Sequence, residues 1–494
     1  MGSDYMDSYE IYVVQAGDTL FGIASRFDLT IAELQAVNQL PDPNRLVIGQ
    51  ALLIPLPRRS PLRYTVITGD TLFGLAQLFN TTVQVIAAAN NLLDPNLIYP
   101  GQSLVIPGWS QIPYTVRTGD TLFAIASRFN VTVNQIARVN RLADPSLIFP
   151  GQVLNIPQPV AVSPRPAIET LAYFQMYNFP ALRRSLEQIA PYITYGALFD
   201  FRVTAEGAIP IPSTTRQAVD LLKEFDIRPL AVITNWAGTD TFDPELGRAI
   251  IGNPQARANT IQNVLNLLQT YGFAGVNVDF ENMYPEDRNL YTEFIRELTA
   301  TLRPRGFLTT IAMAPKYADF PNLPWVGAFD YAALGQILDF IFIMTYEWGW
   351  IGGPPMAIAP ITQVRRVLTY ATSLIPPTKI IQGIPLYGYN WPLPDTPETL
   401  ASGVNLVDVY DLAYRYGATI QFDPTAQSPF FRYRDEQGVE HEVWFEDARS
   451  VLAKYETAQD FNLWGVGYWS QTNEPYGFPQ NWLILEDMFQ IIKR

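Results

Sequence analysis

The chain has 494 residues, of which 47 are acidic and 33 are basic, so its formal net charge is −14. The absence of cysteine excludes disulfides, thiolate metal sites and cysteine nucleophiles. The acidic charge argues against binding to nucleic acid or to an anionic membrane, because those partners require clusters of lysine and arginine.

The single histidine, His441, lies in the charged segment RDEQGVEHEVWFED and is predicted to be structural or solvated. A Ser-His-Asp triad or a metal site with several histidines would have to be built around this one residue. We therefore expect any hydrolytic chemistry to use carboxylates, with no metal and no cofactor.

The N-terminal segment MGSDYMDSYEIYVVQ lacks a basic stretch followed by an apolar one. No run of about 18 apolar residues occurs elsewhere in the sequence. We therefore expect no membrane-spanning segment, and no secretion signal is visible. A signal removed ahead of this start remains an open alternative.

Three blocks of equal length come first, and they align without a gap. Each begins with a short apolar run before a Gly-Asp-Thr-Leu motif, continues through two helical segments and closes with a short strand. Thr30, Thr82 and Thr132 are placed to cap the second helix of each block. The sequence therefore predicts three βααβ units, at residues 12–55, 64–107 and 114–157.

A unit of this size is too small to enclose a catalytic cleft, which favours a binding role. The pattern of GDTL, an apolar helix, Asn and then PGQxLxIP resembles the LysM domains. The resemblance implies recognition of glycans that contain N-acetylglucosamine, in a groove between the loop after the first strand and the loop before the second. The implied groove residues are Gly17, Asp18, Thr19 and Ile48; Gly69, Asp70, Thr71 and Ile98; and Gly119, Asp120, Thr121 and Ile148.

The Gly-Asp-Thr motif also has a purely structural interpretation, because a turn followed by a helix cap requires the same residue types. The first repeat departs from the pattern, with Ala16 before its glycine and Val47-Ile48-Gly49 where the others have Pro-Gly. Weak sites joined by the short linkers PLPRRSPLR and GWSQIP would reinforce one another on a polymer. The repeats are therefore expected to bind a long glycan.

After the linker QPVAVSPRPAIE, residues 168–494 alternate short apolar runs with helical patterns, which is typical of α/β proteins. Eight β-α units predict a TIM barrel, whose site lies at the C-terminal ends of the strands. A stretch at about residues 388–446 predicts a small α+β insertion with a hairpin, which could form one wall of a cleft. The predicted strands are LAYFQMY, YGALFDF, PLAVITNW, FAGVNVDFE, FLTTIAMAP, DFIFIMTYEW, KIIQGIPLYGY and LWGVGYWS.

The fourth predicted strand, FAGVNVDFE, contains the candidate catalytic residues. Asn277, Asp279 and Glu281 alternate with apolar residues, so all three lie on one face of the strand. Strands of a parallel barrel are buried on both faces, so this face must line the lumen. Two carboxylates there require a functional reason, which favours a catalytic role.

GVNVDFE resembles the DxxDxDxE strand of glycoside hydrolase family 18, the chitinase-like enzymes, and MTYEW resembles that family's MxYD motif. Trp469 in GVGYWSQ occupies the position of the family's last-strand tryptophan. The departures are Ala274 and Asn277 in place of the first two aspartates, and Glu347 in place of the aspartate after Tyr346. The combination with LysM repeats resembles the N-acetylglucosaminidases that degrade spore cortex fragments.

This resemblance implies a retaining reaction in which the acetamido oxygen of the substrate is the nucleophile. Glu281 would protonate the glycosidic oxygen and then activate water. Asp279 would orient the acetamide, Tyr346 would hydrogen-bond its carbonyl oxygen, and Trp469 would form the floor of the site. Further substrate-binding residues implied by the resemblance are Asn277, Glu347 and Met344.

The implied reaction is hydrolysis of N-acetylglucosaminyl bonds in peptidoglycan, in the spore coat or cortex or in the cell wall. Chitin or its oligosaccharides are an alternative substrate. A non-catalytic glycan-binding wall protein is the alternative from another class, against which the presence of Glu281 argues. The sequence leaves open exo or endo action and the oligomeric state.

Overall fold

The computed structural model describes residues 8–27, 29–56, 60–159, 165–238, 241–396, 399–469 and 478–493. Over these ranges the chain divides into two compact units, one of residues 1–54 with 165–494 and one of residues 55–164. The first repeat therefore belongs to the same unit as the barrel, and the second and third repeats form the other unit.

The first repeat has the predicted order of strand, two helices and strand. Thr19 caps the first helix, and Thr30 forms the predicted capping box with Glu33 at the start of the second. The two strands pair with each other. The elements are β1 (Tyr9–Val13), α1 (Leu20–Arg26), α2 (Ile31–Asn38) and β2 (Ala51–Pro55).

The second and third repeats share one antiparallel sheet, because a single long strand closes one repeat and opens the next. The segment GWSQIP, predicted to be a linker, lies inside this strand, and Trp109 packs on Phe79 at 5.3 Å between ring centroids. Of the other predicted linker, residues 57–59 lie outside the described part of the chain. The elements are β3 (Ser60–Thr65), α3 (Leu72–Leu78), α4 (Val83–Ala89), β4 (Ser103–Thr115), α5 (Leu122–Arg128), α6 (Val133–Val139) and β5 (Val153–Pro159).

The barrel begins with seven parallel strands, counted over the described residues, and helices cover their outer faces. The strands are β6 (Ala167–Gln175), β7 (Tyr195–Arg202), β8 (Arg228–Thr234), β9 (Gly275–Asp279), β10 (Leu308–Met313), β11 (Phe340–Ile343) and β12 (Ile380–Pro385). The helices are α7 (Phe179–Ile189), α8 (Thr215–Glu224), α9 (Pro244–Gly252), α10 (Pro254–Tyr271), α11 (Arg288–Leu302), α12 (Tyr331–Ile337) and α13 (Ile361–Leu374).

The predicted insertion follows β12 and forms an antiparallel sheet of its own. The predicted seventh strand KIIQGIPLYGY is therefore two strands, because the chain leaves the barrel after Pro385 and enters this second sheet at Tyr387. The sheet has the order β14-β13-β17-β16-β15. Its elements are β13 (Tyr387–Leu393), β14 (Ser402–Asn405), α14 (Val409–Arg415), β15 (Gln421–Asp423), β16 (Ser428–Arg434) and β17 (Glu440–Trp444).

The chain then returns to complete the barrel with α15 (Ala448–Asp460), β18 (Gly465–Trp469), α16 (Pro479–Met488) and β19 (Gln490–Ile491). β18 pairs with β12 on one side and with β6 on the other, which closes the ring and confirms the predicted TIM barrel. Ser470, the last residue of the eighth predicted strand, lies outside the described residues.

The fourth barrel strand is buried on both faces, as the sequence predicts. Val276, Val278 and Phe280 are fully buried on its outer face, and the ring of Phe280 stacks on Tyr291 and Phe294 of α11. This packing holds the strand in place and directs the intervening polar side chains into the lumen.

In the described residues, no single helix is long and apolar enough to cross a membrane. The helices Leu72–Leu78 and Val83–Ala89 would together be long and apolar enough, by length and composition only, but they are bent at 106° to each other.

Candidate active site

Asn277 shows which face of the fourth strand lines the lumen. Its Oδ1 accepts a hydrogen bond of 3.0 Å from the hydroxyl of Tyr173, on β6, which does not neighbour β9 in the barrel. Its Nδ2 donates to Oγ1 of Thr310 on the adjacent strand at 2.9 Å. The amide is fully buried, so both of its groups are used inside the barrel.

Asp279 follows two residues later and is 4% exposed. Its Oδ1 is buried and has no hydrogen-bond partner among the described residues. Burial, and secondarily the charge of Asp200, raise the pKa of Asp279 to about 7. A buried carboxyl oxygen without a donor is costly, and this atom retains the capacity to accept a hydrogen bond.

Glu281 lies just beyond the end of β9, and its backbone is fixed by Asn235. The backbone N–H of Glu281 donates to Oδ1 of Asn235 at 3.0 Å, and Nδ2 of Asn235 donates to the carbonyl of Glu281 at 2.9 Å. Burial, with the charges of Asp279 and Glu347, raises the pKa of Glu281 well above its ordinary value. A raised pKa favours the protonated carboxyl, which is the form that a general acid requires.

Two polar residues of this site were not predicted from the sequence. Asn235 follows the third barrel strand, and Asp200 lies near the end of the second. Asp200 is 5% exposed and accepts hydrogen bonds from the hydroxyl of Tyr177 at 3.0 Å and from Nε of Arg202 at 2.8 Å. A polar side chain at the C-terminal end of an otherwise apolar barrel strand is the signal that marks both residues.

The segment after the sixth strand places Tyr346 and Glu347 at the same end of the barrel. Tyr346 is 6% exposed, and burial raises its pKa well above the ordinary value. Glu347 has a φ of 68° and, unlike Tyr346, is exposed to solvent. Its Oε1 accepts hydrogen bonds from the hydroxyls of Tyr387 and Tyr389 on β13, the second at 3.0 Å. The insertion therefore holds this carboxylate in position.

Trp469 ends the eighth strand and is half-buried. The rings of Tyr173 and Phe199 meet it edge-on, with centroid distances of 5.4 and 5.2 Å. Tyr173 thus contacts both Trp469 and Asn277 and joins the fourth and eighth strands across the lumen. Met344, in contrast, has a half-buried side chain that packs against the barrel core.

No group of three or more histidine, aspartate or glutamate side chains in the described ranges is arranged to hold a metal ion.

The Gly-Asp-Thr loops of the three repeats have the same internal structure. In each, the aspartate accepts hydrogen bonds from the tyrosine of the first strand and from a backbone N–H three residues earlier, and the threonine caps the first helix. The glycines have positive φ, which favours glycine. Turn and cap formation thus account for the residues Gly17, Asp18, Thr19, Gly69, Asp70, Thr71, Gly119, Asp120 and Thr121, and glycan contact remains a prediction.

In the loop before the last strand, the structure shows which residue of the first repeat is equivalent to Ile98 and Ile148. The N–H groups of Gly49, Gly101 and Gly151 donate to the carbonyl of the residue just after the first strand of each repeat, each at 2.8 Å. These glycines are therefore equivalent, and Leu46, not Ile48, corresponds to Ile98 and Ile148. Ile48 therefore stands two positions after the residue that aligns with Ile98 and Ile148, and glycan contact by Ile48, Ile98 and Ile148 remains a prediction.

Comparison with protein families matches residues 212–474 to Glycosyl hydrolases family 18. Residues 12–55, 64–107 and 114–157 match the LysM domain. Both resemblances predicted from the sequence are confirmed by these matches.

Individual proteins are similar over almost the whole chain. The cortical fragment-lytic enzyme of Bacillus subtilis (strain 168) is 42% identical over 435 residues, which cover 87% of this chain and 99% of that protein. The crystal structure of the spore cortex-lytic enzyme SleL from Bacillus megaterium QM B1551 has a TM-score of 0.73 and 34% identity, covering 98% of this chain and 99% of the other. A chitinase from Chromobacterium violaceum ATCC 12472 is less similar, at 26% identity and a TM-score of 0.58, covering 65% of this chain and 98% of the other.

Proposed function

This chain belongs to glycosyl hydrolase family 18 and carries three LysM domains, and we propose that it hydrolyses N-acetylglucosaminyl bonds of peptidoglycan, in the spore cortex or the cell wall. Its similarity to cortex-lytic enzymes over almost the whole chain supports this substrate above chitin. The observation that carries the catalytic proposal is the pairing of Glu281, whose pKa is raised by burial, with Asp279, whose buried Oδ1 has no donor among the described residues.

The reaction begins when Glu281 donates its proton to the glycosidic oxygen. The acetamido oxygen of the sugar on the donor side of the bond attacks its anomeric carbon while the bond to the protonated glycosidic oxygen breaks, and the other sugar leaves with a free hydroxyl. No enzyme nucleophile is therefore required. Asp279 accepts the acetamide N–H at its free oxygen and stabilises the positive oxazolinium ion. Tyr346 donates a hydrogen bond to the acetamide oxygen and aligns it. Glu281 then takes a proton from water as the water oxygen attacks the anomeric carbon. The bond from that carbon to the acetamido oxygen breaks, which opens the oxazolinium ring and gives net retention.

The sugar at the cleaved position is N-acetylglucosamine. Both sugars of peptidoglycan carry an acetamido group, so the mechanism alone does not choose between them. A lactyl ether at O3 would crowd an acetamide held between Asp279 and Tyr346 over the indole of Trp469. A closed pocket that must exclude one bulky group can discriminate strongly.

The test is digestion of purified cortex glycan, borohydride reduction of the new ends and mass spectrometry of the products. We expect reduced glucosamine ends, and reduced muramic acid ends would contradict the assignment. Chitin oligosaccharides provide the alternative substrate in the same assay, and faster cleavage of chitin would overturn the proposed preference.

The catalytic role of Glu281 is tested with Glu281→Gln, which preserves the size and hydrogen bonding of the side chain but has no acidic proton to donate. Turnover should fall by roughly 10²–10⁴-fold, as for other losses of a general acid. Turnover within a few-fold of the original chain would remove Glu281 from its role. A chain that binds the glycan but releases no products, with or without the substitution, would be a glycan-binding wall protein and not an enzyme.

A further inference from the structure

The last strand of the first repeat is buried on both faces, unlike its equivalents. Ala51 and Leu53 on its outward face are fully buried and belong to the hydrophobic core of the barrel unit. At the equivalent positions of the third repeat, Val153 is 61% exposed and Asn155 is also exposed. The first repeat is therefore packed against the barrel unit through positions that face solvent in the third repeat.

The loop before this strand contacts the insertion directly. The backbone N–H of Ile420, just before β15, donates to the carbonyl of Ile48 at 2.9 Å, and β15 is one of the two edge strands of the insertion sheet. Nη2 of Arg449 donates to the carbonyl of Gly49 at 3.2 Å, and Asp447 holds the same guanidinium at 2.6 Å. The loop thus covers one end of an edge strand.

A second set of contacts fixes the other side of the repeat to α16. Oδ1 of Asn38 accepts a hydrogen bond of 3.2 Å from Nε2 of Gln480, and the backbone N–H of Ser8 donates to Asp487 at 2.9 Å. With contacts to both the insertion and α16, the repeat has little freedom to move relative to the barrel.

These contacts use one of the two loops that form the predicted glycan groove. Val47 in this loop is 3% exposed, whereas the equivalent residues Tyr99 and Phe149 are 60% and 64% exposed. A glycan that needs both loops would have to displace the insertion from the first repeat. The grooves of the second and third repeats still present their aromatic side chains.

We propose that the first repeat is a fixed brace for the insertion and not a glycan-binding module, so that glycan binding belongs to the second and third repeats. The first repeat is connected to the active site through the insertion sheet. β13 of that sheet carries Tyr387 and Tyr389, which hold Glu347 at the mouth of the barrel. The partner surface of this repeat is therefore the edge of the insertion in the same chain.

Substitution of one glycine in each repeat tests the brace in the full chain. Gly49, Gly101 and Gly151 have φ values of 87°, 92° and 85°, so alanine introduces the same backbone strain at each. The added Cβ would overlap the carbonyl of Ile420 at Gly49 only, and it meets open space at the other two.

We expect Gly49→Ala to lower the unfolding midpoint of the catalytic unit by at least about 3 °C more than Gly101→Ala or Gly151→Ala. Turnover of a short soluble glycan should fall for Gly49→Ala alone. Equal shifts in all three variants would overturn the proposed brace. This test does not depend on glycan binding by any repeat.

The second experiment tests whether the second and third repeats bind glycan and the first does not; it rests on the proposed function. It uses chains that also carry Glu281→Gln, so that the bound glycan is not cleaved. We expect Tyr99→Ala with Phe149→Ala to weaken sedimentation with insoluble cortex glycan at least tenfold. Val47→Ala should leave binding within twofold but lower the unfolding midpoint. Weaker binding by Val47→Ala at an unchanged midpoint would overturn the proposal. If the parent fails to bind glycan, the proposed function fails, while the outcome at Gly49 still decides the brace.

Discussion

At the scale of single residues, the site is defined by carboxyl groups that are held in an unfavourable environment. Asp279 and Glu281 both have raised pKa values, and burial is the largest cause for each. Elevated pKa values are typical of groups that exchange protons during catalysis. The sequence predicted both residues from their spacing. Asp200 was missed although it is a polar side chain near the end of an otherwise apolar strand, because its charge acts on Asp279 from a different strand of the barrel.

The cost of burying Asp279 should be measurable as a loss of stability. Its pKa in the folded chain, about 7, is above the ordinary value of 3.8, so ionisation destabilises the fold. The penalty is absent below pH 3.8, grows as the pH rises to 7 and stays constant above it. We expect Asp279→Asn to raise the free energy of unfolding by up to about 4 kcal/mol at pH 8 and to abolish most turnover. Denaturant titrations at pH 4 and pH 8 check this, and an equal gain at both values would contradict it.

A second prediction concerns the neighbour of Asp279. The negative charge of Asp200 contributes to the raised pKa of Asp279, so Asp200→Asn should lower that pKa. Turnover requires ionised Asp279, and the acidic limb of the profile of kcat/KM against pH should therefore move to lower pH. Asp94→Asn, the same change in the second repeat, is the control and should leave the profile unchanged. An acidic limb that moves to higher pH would show that Asp200 acts in some other way.

At the scale of elements, periodicity predicted the eight barrel strands because a buried parallel strand needs a short apolar run. It failed after Pro385, where one apolar run, KIIQGIPLYGY, serves two sheets. Composition does not show where the chain passes from the barrel to the insertion sheet, because most residues of β12 and β13 are buried. The segment GWSQIP was predicted to be a linker, but pairing of its backbone with β3 and β5 makes it part of a strand.

The sequences of the last strands indicate that the first repeat is packed against other parts of the chain, but only when the three repeats are compared. ALLIP in the first repeat is apolar at every outward position, whereas SLVIP and VLNIP carry polar residues there. Only a difference between repeats shows that one of them has a buried outer face. The three units were therefore predicted correctly as βααβ folds, but the docking of the first unit was not.

The burial of this strand leads to a prediction about stability. We expect Leu53→Asn to lower the free energy of unfolding of the catalytic unit by roughly 3 kcal/mol, because it leaves a cavity and an unpaired amide in the core. Val105→Asn is the matched change in the second repeat, where the side chain is half-buried, and should cost about 1 kcal/mol or less. Thermal unfolding of both full-length variants gives the comparison. Similar losses would show that the outer face of the first repeat is not packed as described.

At the scale of the whole molecule, the chain combines one hydrolytic site with repeats whose exposed aromatic residues are remote in sequence from it. Tyr99 and Phe149 are exposed in the unit of residues 55–164, while the carboxyl groups belong to the barrel unit. Each repeat alone is expected to bind weakly. Two sites in one rigid sheet raise the effective concentration of the second for a polymer once the first is bound.

This arrangement predicts that loss of the aromatic residues changes activity only on a polymer. With Tyr99→Ala and Phe149→Ala in the otherwise active chain, turnover of insoluble cortex should fall about tenfold or more at low enzyme concentration, because avidity is lost. Turnover of short soluble glycans should stay the same, because the barrel still contains every catalytic group. Leu374→Ala, which removes an exposed apolar side chain from α13, is the control for a general loss of surface. An equal fall on both substrates would instead mean that the repeats contribute to the catalytic cleft, since avidity cannot change the turnover of a fragment that reaches one site at a time.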